Sequence, residues 1–187
     1  MEEEVLLIID IAEEGMKHSL EHLQKELVRV RTGKASTTML DGLLVVYYGT
    51  PTPLKQVANI TTSDARTIVI QPWEKNMLGP IEKAIFEANF GITPQNDGEY
   101  IRLVIPALTE DRRKDLVKQV KQLGEDAKVG IRSYRHKAMD GIKKEVKNGY
   151  PEDAGKRREN EVQELTNKYS EKVDKMLEVK EADIMTV

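Results

Sequence analysis

None of the 187 residues is a cysteine. Disulfides, thiolate nucleophiles, zinc fingers and iron–sulfur ligation are excluded with it, and a reducing compartment fits. Aromatics are scarce, with one Trp, two Phe and six Tyr, a mix that favours helices with wide solvated faces over a β-sandwich. No stretch approaches the ~20 apolar residues that span a bilayer. The opening MEEEVLLIIDIA carries acids where a signal peptide carries cations, and Asp10 interrupts its apolar run. A soluble cytoplasmic protein without membrane contact is therefore expected. Neither GxxxxGK[ST] nor GxGxxG occurs, so no loop cradles a nucleotide and no cofactor is implied. A charge excess is missing too: the formal net charge is −3, which excludes a globally basic nucleic-acid binder.

What the chain does have is helical period at both ends. Ile9, Ala12, Met16, Leu20, Leu23, Leu27 and Val30 recur at spacings of three and four, one stripe of an amphipathic helix. After Thr32-Gly33 the character changes. GLLVVYYGTPTPL (42–54), ARTIVIQPW (65–73) and GEYIRLVIP (98–106) read as strands bounded by turn residues, and IEKAIFEANF (81–90) as a short helix following Gly79-Pro80. From Thr109 the helical stripe resumes through Leu116, Val120, Leu123, Ala127, Ile131, Tyr134, Ala138 and Ile142, with a stop near Asn148-Gly149. A third stripe runs Val162, Leu165, Tyr169, Val173, Met176 and Leu177.

Three one-sided helices bury their stripes most simply against one another. The fold expected is α+β: a long antiparallel three-helix bundle from residues 1–30 and 106–187, with a small domain of residues 31–105 inserted between its first two helices. The two crossings, near 31–33 and 104–106, are hinge candidates through Arg31, Thr32, Gly33, Ile105 and Pro106.

Charge is unevenly divided. Residues 1–30 carry a net −5, residues 31–108 zero, residues 109–148 +5 and residues 149–187 −3. A basic helix beside two acidic ones gains weak surface attraction, but the helical wheel argues for more. At about 100° per residue, Lys114, Lys121, Lys128, Arg132 and Arg135 fall within about 60° of one another. The apolar stripe is placed more than about 100° away, so these cations should point outward. Arginines fork onto phosphate oxygens and lysines supply point charges, so such a ridge suits a phosphate backbone. No aromatics interleave it, which argues against stacking on single-stranded bases.

Catalytic signals are weak. His18 and His22 have a metal-clamping spacing, but only carboxylates such as Glu14, Glu21 or Glu26 could complete a site; an exposed pair without metal is expected. The other carboxylates have no Ser or His constellation beside them, so the chain is not expected to be an enzyme.

RVRTGKAS (29–36), LLVVYYGTPTPLKQVANI (43–60), ARTIVIQPW (65–73), IEKAI (81–85), IRLVIPALTEDRRKDLVK (101–118), EDAKVGIRSYRHKA (125–138) and NEVQELTNKY (160–169) together resemble the bacterial and organellar ribosome recycling factor family over nearly the whole chain. The resemblance implies an L-shaped protein in which a three-helix bundle and a compact β/α/β domain meet at a flexible elbow. It implies a monomeric, non-enzymatic factor that enters the A site of the post-termination 70S-type ribosome. There the bundle lies against large-subunit rRNA, and elongation factor G with GTP drives dissociation into subunits with release of mRNA and tRNA. By position, Arg132 and Arg135 match the family's rRNA-contacting arginines, Lys128 a basic position beside them, and Arg31 the arginine at the bundle end of the hinge; Lys121 joins them from the charge ridge. Gly130, Ser133, His136 and Lys137 stand where the family usually has alanine, asparagine, arginine and an acid. Gly130 should cost about 1 kcal/mol in a helix interior. His136 makes a third cation pH-dependent. A general RNA-binding module and a metal-dependent hydrolase using His18 and His22 are the competing readings.

Overall fold

The structure is a computed structural model that describes residues 1–186. It divides into two compact units: Met1–Arg31 with the chain from Glu110 onward, and Thr32–Thr109.

The first unit holds three long helices, α1 (Glu2–Arg29), α3 (Glu110–Lys147) and α4 (Glu152–Met185), each packed against the other two. All three open with acids in the first turn: Glu2 to Glu4, Glu110 with Asp111, and Glu152 with Asp153. Negative charge there complements the exposed N–H groups and the positive end of the helix dipole. Between α3 and α4 the chain reverses through Gly149, whose φ of 108° suits glycine, and through buried Tyr150. Contacts fix the directions: Gly15 of α1 meets Tyr134, Gly141 of α3 meets Ile8, and Glu13 of α1 meets Tyr169 of α4. α3 thus runs opposite to α1 and α4. The apolar stripes supply the core, including Val5, Ile9, Met16, Leu23, Val120, Ile131, Ile142, Val162, Tyr169 and Val173. Leu20, Leu165, Met176 and Leu177 from the sequence stripes are only half-buried.

The second unit contains a hairpin, β1 (Leu44–Tyr47) with β2 (Thr50–Pro53), and an antiparallel sheet of order β3–β4–β6–β5. Those strands are β3 (Ala58–Asp64), β4 (Thr67–Pro72), β5 (Gln95–Asn96) and β6 (Ile101–Val104). Helix α2 (Leu78–Ala88) covers the core of Val45, Leu54, Ile68, Ile70, Ile81, Ile85, Ile101 and Leu103. α2 begins at Leu78, so Pro80 sits in its first turn, where a missing N–H leaves no helical bond unmade.

Two departures from the sequence expectation have clear causes. The segment 42–54 is not one strand but a hairpin turning at Tyr48-Gly49, with φ of 46° and 80°. Both central residues take positive φ, as a tight hairpin turn requires, but a tyrosine there hides the usual Asn-Gly signal. β3 is a strand not anticipated from the sequence, because Thr61, Thr62, Ser63 and Asp64 are polar and exposed. As a sheet edge it buries only Ala58 fully, so little alternation is written into it.

Candidate nucleic-acid interface

α3 carries the cations, and its neighbours decide how they are presented. Lys114, Lys118, Lys121, Arg132, His136 and Lys143 are exposed. Lys128 and Arg135 are not directed freely outward as the wheel suggested; both are half-buried on the flank that α4 covers. Lys128 Nζ lies 2.6 Å from Asp174 Oδ1, and Arg135 Nε donates to Gln163 Oε1 at 2.8 Å. The expectation erred because it treated α3 as having one buried side. In a three-helix bundle α3 faces two partners, and the α4-facing edge extends under the ridge. Arg132 Nη2 donates to Glu125 Oε1 at 3.0 Å, one exposed pair along the same helix. Gln163 Nε2 in turn donates to Asn167 Oδ1 at 2.9 Å. Neither Asp174 nor Gln163 was singled out by the sequence reading, because nothing local to α4 reveals which of its polar residues meets α3.

The opposite side of α3 is seated against α1 through glycines. A methyl placed on Gly15 would lie 2.3 Å from Tyr134 Cδ1, so the ring occupies the space beside bare backbone. At Gly130 a methyl would meet Ser19 Oγ at 2.9 Å. That is a reason for the glycine that the sequence does not show: α1 approaches α3 closely at this level. On the α4 side, a methyl on Gly124 would lie 2.2 Å from Leu177 Cδ1. These close approaches hold α3 in register, with Lys121 and Arg132 exposed and Lys128 and Arg135 half-buried beside α4.

A clasp joins α1 to α4 beneath this surface. The Tyr169 hydroxyl donates to Glu13 Oε1 at 3.0 Å. Burial first, and then this bond to a carboxylate, push the phenol up to about 12.

His18 and His22 border an open groove of about 270 Å³ between α1 and α3, with Glu26, Asp126 and Tyr134. His18 Nδ1 is 3.7 Å from its helical neighbour Glu21. Among the described residues no three His, Asp or Glu side chains converge to hold a metal. Nor is any described helix long and apolar enough to cross a membrane.

The hinge candidates differ in their surroundings. Arg31 is exposed, at the end of the first unit, and Thr32 opens the second. Gly33 has φ +76°, and a side chain there would meet Leu108 Cγ at 2.8 Å. Ile105 is buried in the core of the second unit and its N–H donates to Arg66 O at 2.7 Å. Pro106 is exposed. Gly33 and Ile105 are thus anchored within the small unit, which periodicity and glycine content did not indicate. The exposed aromatics also lie in that unit rather than on α3: Tyr48 and Trp73, with Tyr47, Thr50, Gln56 and Glu74, line an open cleft of about 600 Å³.

Comparison of the whole chain with known proteins points to one family. The family model described as "Ribosome recycling factor" matches residues 23–185. A ribosome-recycling factor of Flavobacterium johnsoniae is 53% identical over 187 residues, all of both chains. One of Caldicellulosiruptor saccharolyticus is 53% identical over 180 residues, 96% of this chain and 98% of that protein. A solution structure of the ribosome recycling factor superposes with a TM-score of 0.78 at 38% identity, covering 98% of each chain. A second similar structure belongs to a set of models for the T. thermophilus ribosome recycling factor and the E. coli elongation factor G bound to the E. coli post-termination complex. It has a TM-score of 0.63 and 41% identity, covering 97% of this chain and 99% of that one. A match that runs through α1, the small unit, α3 and α4 in one order places the chain in the ribosome recycling factor family of non-enzymatic translation factors.

Proposed function

We propose that this chain enters the A site of the post-termination ribosome and, with elongation factor G and GTP, promotes dissociation into subunits with release of mRNA and tRNA. Ribosome recycling follows from the family; the binding mode follows from α3. The observation that carries it is the row Lys121, Lys128, Arg132 and Arg135 on one flank of a helix pinned by two neighbours. In a chain of net charge −3 such a row gives polyanion binding a single address. Large-subunit rRNA is the polyanion, and Arg31, exposed at the end of the first unit, extends the contact. No covalent chemistry is assigned to this chain: binding energy selects one ribosomal state, and hydrolysis belongs to the GTPase. The factor works as a monomer in the compartment where translation occurs.

The joint between the two units transmits the motion. Since Gly33, with Leu108 against it, and Ile105 are anchored in the small unit, the movable bonds are assigned to Arg31-Thr32 and to Thr109-Glu110.

The test is incubation with post-termination ribosomes, elongation factor G and GTP, followed by sedimentation. Free subunits are expected. Intact ribosomes under conditions in which a control factor splits them would overturn the proposal. Equal competition by a plain RNA duplex would instead favour a general RNA-binding module.

A further inference from the structure

The cations on the flank of α3 are held in two different ways. Lys128 lies against the carboxylate of Asp174 and Arg132 against that of Glu125, so each shares its charge with an acid. Arg135 is held by an uncharged amide, Gln163 Oε1 at 2.8 Å from its Nε. The amide cannot turn freely, because its Nε2 donates to Asn167 Oδ1, one helical turn further along α4. On the same helix, Glu161 is engaged by Arg158.

From this we infer that Gln163, backed by Asn167, is a positioning residue for ribosome binding: it fixes the Arg135 guanidinium while leaving its full positive charge available to RNA. A guanidinium has five N–H donors in a rigid plane. Using Nε for the bond to α4 leaves the two Nη groups, the pair that forks onto phosphate oxygens. Orientation also matters to affinity: a side chain already held in its bound rotamer loses less freedom on binding. A carboxylate at position 163 would hold the arginine at least as tightly but would compete with phosphate for it. An amide orients without competing. This inference rests on the reading of Arg135 as an RNA-facing residue.

The experiment measures co-sedimentation of the full chain with vacant bacterial 70S ribosomes across a salt series. Arg135→Ala, Gln163→Glu, Gln163→Met and the Gln163 changes in the Arg135→Ala background are compared, with thermal unfolding confirming each fold. Arg135→Ala should weaken binding about 10- to 100-fold. Gln163→Glu should weaken it about tenfold and make the logarithmic salt dependence shallower by roughly one contact. Gln163→Met, which keeps length and loses the acceptor, should weaken binding by about threefold with the salt slope unchanged. In the Arg135→Ala background neither change at 163 should matter. Wild-type affinity of both single Gln163 variants beside a weakened Arg135→Ala overturns the positioning role alone. Wild-type affinity of Arg135→Ala overturns the RNA-facing reading and this inference with it. Effects at 163 that persist without Arg135 overturn it as well, since Gln163 would then act on its own.

Discussion

Gly15 and Gly130 both lie where α1 and α3 approach, and the atoms opposite them respond differently to an added methyl. At Gly15 the obstacle is the rigid aromatic ring of Tyr134 at 2.3 Å. At Gly130 it is Ser19 Oγ at 2.9 Å, a hydroxyl on a half-buried side chain that can rotate away. Alanine gains about 1 kcal/mol over glycine in a helix interior, while overpacking costs roughly 1–3 kcal/mol. Gly15→Ala is therefore expected to lower stability by about 1–2 kcal/mol, and Gly130→Ala to raise it by up to about 1 kcal/mol. Urea unfolding of the two variants checks this, and equal effects of the same sign would refute it. The sequence exposes the cost of Gly130 but not its cause, because helix separation depends on both surfaces. Ile131 and Ala138, by contrast, were legible as core from spacing alone, since a period of 3.6 determines which face a residue shares.

At the scale of elements, Tyr169 shows how α4 is tied to α1. Its hydroxyl is hydrogen-bonded to Glu13 and its ring is buried. Folding raises the phenol's pKa from an ordinary 10.0 to about 12. The folded state thus favours the protonated form, whose contribution is complete below pH ~10 and fades as pH rises towards 12. Alkaline titration of unfolding should show a loss of order 2 kcal/mol across that window. Tyr169→Phe should lack that part of the loss, though it starts less stable by about 1 kcal/mol for the missing bond. Identical pH profiles for the two proteins would contradict the clasp. Tyr169 was legible as apolar stripe; its partner on α1 was not, since 156 residues separate them. Elements themselves were read with similar unevenness. The long helices announced themselves through repeated period, whereas β3, an exposed edge strand, carries almost no alternation to read.

For the whole molecule, the question is what the two crossings do. A joint that transmits motion should tolerate little slack. Inserting two glycines after Arg31 and two after Thr109 is expected to leave ribosome co-sedimentation within about twofold, since α3 is untouched, and to reduce subunit splitting at least about tenfold. Splitting at the wild-type rate would show that the joint carries no force. The sequence alone determined the α+β class, the three amphipathic helices, the basic character of α3 and the ordered motifs of the family, because periodicity, charge and motif order are properties of the chain. Only the tertiary structure decided that Arg135 rests on Gln163, that Lys128 meets Asp174, that Gly130 sits against Ser19 and that Gly33 and Ile105 belong to the small unit's packing. Each of these joins residues distant in sequence, and their meeting depends on how helices and strands pack rather than on any local preference of the chain.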